Sequence, residues 1–187
     1  MKKLIVSTLC ALALATAAAA APLKLKPANP QPSSVKSGLA VKYAYPDDVK
    51  TLAEAQRALK NAKRGTPLKG MDHWDTQEGD KTLTSKQPFH VVAGISGYVK
   101  FDAPGTYAID FLSNDGLEAH IGGKRVARID SRTPCESGGT VQVSVPSAGW
   151  YDFKATYFQR LGTACLHMRR GASSGSLDWM PDTAFGH

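Results

Sequence analysis

Cysteine is scarce in this chain of 187 residues, which holds three. None stands in a C-x-x-C pair, and neither Cys135 nor Cys165 has a His or Lys beside it in sequence. A dithiol redox role is therefore excluded. Lysines and arginines nowhere gather among aromatics, which make up 8% of the chain, so a nucleic-acid groove is not expected. The G-x-S-x-G signature of a nucleophile elbow is missing too. Gly94 to Gly97 reads G-I-S-G, but Tyr98 occupies the last position and the stretch is strand-like. His90, His120 and His167 have no carboxylate partner that sequence alone identifies. The chain is expected not to be an enzyme. No internal repeat is present.

What the sequence does hold begins with a leader. Lys2 and Lys3 precede an apolar run from Leu4 to Ala15, and Ala17 to Ala21 supply small residues for cleavage, which places a signal peptide at residues 1–20. Its apolar run is too short to span a bilayer, and no transmembrane segment is expected in the mature chain. The product is thus expected in the periplasm or secreted. Losing Lys2 and Lys3 leaves 21 basic residues against 16 acidic, a net charge of +5 in place of +7. That excess suits solubility or an anionic surface. Two cysteines remain, Cys135 and Cys165, and an even count in an oxidising compartment predicts one disulfide. Closing that loop is expected to contribute between ~3 and ~4.7 kcal/mol.

Residues 21–37 carry four prolines and few large apolar side chains, and read as a spacer. From Gly38 to Tyr45, Leu39, Val41, Tyr43 and Tyr45 alternate with smaller or polar residues, the pattern of a first strand. Pro46-Asp47-Asp48 offers a helix cap, and Val49, Leu52, Ala53, Leu59 and Ala62 follow at helical spacing toward Lys63, Arg64 and Gly65. One amphipathic helix is predicted over 48–64, on the outside of the domain because its apolar stripe is thin. The stretch 66–88 is polar and rich in turns. His73, Asp75 and Glu78 there are weighed as metal ligands and read instead as surface, with Trp74 covering an edge of the core. Strands are predicted over 89–101, 105–113, 117–121, 124–130, 139–145, 150–158 and 163–170. The hairpin at Gly122-Gly123 suits a primed turn. Such spacing describes an all-β fold, an antiparallel β-sandwich or barrel with a single core.

The order of motifs is itself informative. G-Y-V-K-F-D-A-P-G-T-Y-A-I-D-F-L-S-N-D-G at Gly97 to Gly116 is followed by I-G-G-K, then S-G-G-T-V-Q-V, then A-G-W-Y-D-F-K-A-T-Y-F. This series resembles the PA14 domain family over most of residues 38–187. The resemblance implies a β-sandwich module, often carbohydrate-binding, here with one added helix near its start. In fungal adhesins of this family a pair of aspartates in the matching turn holds a calcium ion that coordinates sugar hydroxyls. The matching positions are Asn114 and Asp115. The resemblance therefore implies calcium as the candidate cofactor at Asn114 and Asp115, and ligand contacts from Asn114, Asp115, Gly116, Gln159 and Arg160. Three departures weaken that centre. Asn114 removes a charge, Gly122 stands where the hairpin usually has aspartate, and the tip Gln159-Arg160-Leu161-Gly162 lacks Asn or Asp oxygens.

The function so implied is an exported, non-catalytic module whose partner is a glycan or a component of the cell envelope. The alternative is a structural or protein-interaction module in which Ser113 to Gly116 is merely a turn and Asp115 caps backbone amides. Trp74, Trp150 and Trp179 are the rings available to pack on sugar C–H groups.

Overall fold

The computed structural model describes residues 20–187. The leader lies outside the described residues apart from Ala20. In chain order the strands are β1 (Leu23–Lys24), β2 (Ala40–Ala44), β3 (Lys63–Arg64), β4 (Asp72–His73), β5 (Val91–Phe101), β6 (Gly105–Ser113) and β7 (Gly116–Ile121). They continue as β8 (Lys124–Ile129), β9 (Glu136–Ser137), β10 (Val141–Val145), β11 (Gly149–Gln159), β12 (Leu166–Ala172), β13 (Asp178–Trp179) and β14 (Phe185–Gly186). Two sheets face one another. The first runs β1-β10-β6-β12-β13, with β4 added to β12 and β9 to β6; the second runs β3-β2-β5-β11-β7-β8, with β14 added to β5. Pairing is antiparallel except between β1 and β10. The fold is the expected β-sandwich.

Alternation along the strands makes the core. Ile109, Phe111, Val143, Leu166 and Met168 of the first sheet meet Ile95, Val99, Phe101, Leu117, Phe153 and Tyr157 of the second. Burying a side chain of this size is worth about 1.5–3 kcal/mol each. Gly122 and Gly123 have φ of 52° and 76°, the two positive values that a type I′ hairpin needs.

The predicted helix is real but shorter. α1 spans Leu52–Ala58, and a 3₁₀ turn over Leu59–Asn61 ends it. Its cap is Thr51 rather than the Pro46-Asp47-Asp48 group. The Thr51 hydroxyl accepts from the Glu54 amide at 3.2 Å, and a Glu54 carboxylate oxygen accepts from the Thr51 amide at 3.1 Å. Lys63 and Arg64 are extended because they pair with Tyr43 and Lys42 at the sheet edge. The helix lies on the outer face of the second sheet, where Val49, Leu52 and Ala55 cover Ala44, Val92 and Phe158.

The stretch read as a spacer is part of the folded unit. β1 joins β10, the Lys26 amide donates to the Gly122 carbonyl at 3.0 Å, and Leu25 is buried in the core. It therefore fastens the edge of one sheet to a hairpin of the other. This also accounts for glycine at 122, because a Cβ there would stand 2.6 Å from the Lys26 carbonyl oxygen.

Candidate functional site

β6 belongs to the first sheet and β7 to the second, so Asn114 and Asp115 are the two residues in which the chain crosses between layers. A crossing this tight needs an unusual backbone, and Asp115 takes a left-handed φ of 58°. Gly116 does not have the positive φ that a free turn would give it. It is glycine because the Phe158 ring fills its side-chain space, 2.0 Å from where a Cβ would lie. The corner is buried: Ser113, Asn114 and Asp115 are 0%, 7% and 5% exposed. β11 and β12 make a second crossing at residues 160–165, at the same end of the sandwich.

The two crossings are tied together. Asp115 Oδ2 accepts from the Arg160 amide at 2.7 Å, and the Asn114 side-chain amide donates to Thr163 Oγ1 at 3.1 Å. The Asn114 backbone amide donates to the Cys165 carbonyl, and that of Asp115 to the Thr133 carbonyl. The predicted disulfide between Cys135 and Cys165 is formed, with Cα atoms 5.8 Å apart. Burial pushes the Asp115 carboxyl above its usual range, opposed by the Arg160 amide and by the charge of Arg132.

The tip residues are committed in the same way. Gln159 is fully buried; its Oε1 accepts from the Tyr157 hydroxyl at 3.1 Å, and its Nε2 donates to the Leu161 carbonyl at 2.7 Å. Arg160 donates through its amide to Asp115, accepts at its carbonyl from the His90 amide, and reaches Asp48 with its guanidinium at 2.7 Å. That guanidinium, followed by Lys50, holds the Asp48 carboxyl well below the usual carboxylate range. The structure thus brings all five predicted site residues to one end of the sandwich, with their side-chain polar atoms bonded to neighbouring groups of the protein. Calcium asks for six to eight oxygen ligands. The corner presents one carboxylate, already bonded to a backbone amide, with Arg132 and Arg160 beside it.

A different surface carries exposed aromatics. β4 and β13 both attach to the same strand, β12, one after the other. This brings Trp74, just after β4, and Trp179, in β13, to a ring-centroid distance of 5.1 Å at 66°. The rings are 61% and 39% exposed, so Trp74 does not cover the core edge as expected. His167 lies beneath, its ring 4.7 Å from Trp74 and 4.9 Å from Trp179, with Nδ1 2.9 Å from Asp72 Oδ1. Arg169 sits 5.3 Å from the Trp179 ring centre and forms an ion pair with buried Asp110. Trp150 instead packs against Tyr98. Sequence reasoning missed this grouping because positions 74 and 179 meet only through their pairing with β12. The available signal was two tryptophans in polar segments, M-D-H-W-D and S-L-D-W-M. The weighed trio His73, Asp75 and Glu78 does not gather. Among the described residues the one cluster with metal-ligand spacing is Cys135, Cys165 and His167, and its sulfurs are joined to each other.

The PA14 domain model matches residues 36–185. The chain belongs to the PA14 domain family. Solved PA14 folds superpose on it closely. The PA14 domain of the MpAFP antifreeze protein has a TM-score of 0.67 at 16% identity, covering 83% of this chain and 92% of that one. A PA14 sugar-binding domain from an RTX adhesin gives 0.66 at 12% identity, covering 81% and 98%. The epithelial adhesin 9 A domain from Candida glabrata, in complex with Galβ1-3GlcNAc, gives 0.64 at 14% identity, covering 89% and 95%. Among curated proteins no match was found. In this PA14 domain the turn at Ser113 to Gly116 is hydrogen-bonded to the second crossing between the two sheets.

Proposed function

We propose that this PA14 domain is an exported, non-catalytic carbohydrate-binding module that packs sugar rings against the exposed faces of Trp74 and Trp179, in the notch that their contact forms. The observation that carries the reading is the exposure of those two rings at 5.1 Å from each other. An angled aromatic pair offers faces for the C–H bonds of a pyranose, a contact of hydrophobic and electrostatic origin. Asp72 and the guanidinium of Arg169 supply an acceptor and donors at the rim for hydroxyl groups. The relatives that bind sugars support the class of ligand: one is named a sugar-binding domain and another holds Galβ1-3GlcNAc.

We infer further that recognition does not use calcium. The corner at Asn114 and Asp115 has one negative charge, and its free oxygens are few. The roles of Asn114, Asp115, Gly116, Gln159 and Arg160 are then structural. Export is supported by the leader pattern and by the disulfide, which persists in oxidising compartments. No helix among the described residues is long and apolar enough to cross a membrane.

A glycan array tests the reading. The wild-type domain is expected to bind a defined set of glycans with chelator present, and Trp74→Ala/Trp179→Ala is expected to bind none of them. Equal binding by the two proteins would overturn the notch.

A further inference from the structure

The outer face of the second sheet carries a groove of about 310 Å³ floored by β2, β5, β11 and β7. Cross-strand register arranges its side chains in two rows. Lys42, Gly94, Thr156, Glu118 and Arg128 form one; Ser96, Lys154, His120 and Arg125 form the next. Leu59, at the end of the helix, packs over Gly94, where a Cβ would come within 3.1 Å of it, and forms a wall of the groove.

Basic residues outnumber acidic ones in the lining of this groove. Glu118 is its acidic residue, and it is engaged by Arg128 at 2.9 Å, with Arg125 at 4.0 Å and the Gln56 amide at 3.4 Å. Asp130 answers Arg128 from the other side. Asp152 follows on the same face, two positions from Lys154, yet among the described residues neither Lys42 nor Lys154 forms a salt bridge. Lys42 stands directly opposite Arg64 across the β2–β3 pair, and like charges so placed gain nothing for folding and cost stability. Their presence calls for an external counter-charge. The groove also offers the hydroxyls of Ser96 and Thr156 as donors between the cations.

We propose that this groove is a second binding site, which takes an acidic polysaccharide through its carboxylate or sulfate groups. From β2 to β8 the cations spread over four strand spacings, about 19 Å at ~4.8 Å each. One small anion cannot bridge that span, whereas a polymer with repeated acidic groups can. No aromatic ring lines the groove, so bases of a nucleic acid would find no stacking platform. The ligand class agrees with the proposed function, but the site lies on the opposite sheet and stands or falls separately.

The test uses the mature chain and four probes: polygalacturonate for carboxylates, dextran sulfate for sulfate esters, a single-stranded oligonucleotide, and neutral dextran as control. Lys42→Gln/Lys154→Gln is compared with Lys69→Gln/Lys81→Gln, which removes the same charge from exposed loops. Binding of either acidic polymer, weakened at least tenfold in the groove variant and less than threefold in the loop variant, supports the site; whichever polymer binds identifies the group. Binding should also fall as salt rises. Equal losses in both variants, no binding of either polymer, or tighter binding of a single-stranded oligonucleotide would overturn it. Array glycans that depend on Trp74 and Trp179 should remain bound by the groove variant, which separates this site from the notch.

Discussion

Two regions of this domain hold residues of the kind that bind sugars, and they are built in opposite ways. The corner at Ser113 to Gly116 is buried, and its polar atoms face the Gln159 to Thr163 crossing. The notch at Trp74 and Trp179 covers His167 on its inner side and is open to solvent on its outer side. A buried polar group must be bonded or it costs stability, so the corner has partners for reasons of folding alone. An exposed tryptophan pair has no such reason, because burying aromatic surface is favourable and leaving it in water is not. The difference separates what holds the sandwich together from what is left over for a ligand.

The largest expected effect falls on the corner side. Cys135 joins Cys165 beside the first crossing. Cys135→Ser/Cys165→Ser should lower unfolding free energy by about 3–4 kcal/mol, measured by urea denaturation. Next comes Asp115→Ala, which removes the acceptor of the Arg160 amide and should cost about 1–3 kcal/mol. Calcium at millimolar concentration should leave the melting temperature of the wild type and of this variant unchanged, since a bound ion would raise that of the wild type alone.

A smaller effect is visible in pH. The Asp115 carboxyl is raised by burial, so its contribution to stability is complete below the unfolded value near ~4 and is lost as pH rises through the raised folded value. Asp48 runs the other way. Arg160 and Lys50 lower it, so its contribution is present above ~4 and is lost as pH falls. Asp115→Asn keeps an acceptor and cannot titrate. Its stability relative to wild type should therefore increase as pH rises from about 4 through the Asp115 value, read from urea midpoints over a pH series. A flat difference would contradict burial of a charge at the corner. The smallest effect on stability is expected at the notch: Trp74→Ala should cost about 1 kcal/mol or less, because that ring is the more solvated of the two.

Much of the fold could be read from residue order. Alternation in Tyr107, Ile109 and Phe111 marks a strand, and Gly122-Gly123 marks the hairpin between β7 and β8, since both signals are local. The helix was legible in type but not in length, because Lys63 and Arg64 are claimed by a sheet edge that helical periodicity does not report. Prolines at 22, 27, 30 and 32 signalled a spacer; the segment is nonetheless ordered by Leu25 in the core and by Lys26 over Gly122. The corner was found as a motif, and the fate of its oxygens was not. Burial of Asp115 and Gln159 follows from two crossings packed at one end, which no single stretch encodes. The notch was least legible, since it needs two short edge strands on one neighbour.

The most direct test of this account titrates one array-selected neutral glycan against Asp115→Asn in chelator and against Trp74→Ala. The account predicts that Asp115→Asn binds within threefold of wild type, whereas Trp74→Ala binds at least tenfold more weakly. Loss of binding in Asp115→Asn with retention in Trp74→Ala would contradict it, and would return the sugar site to the corner.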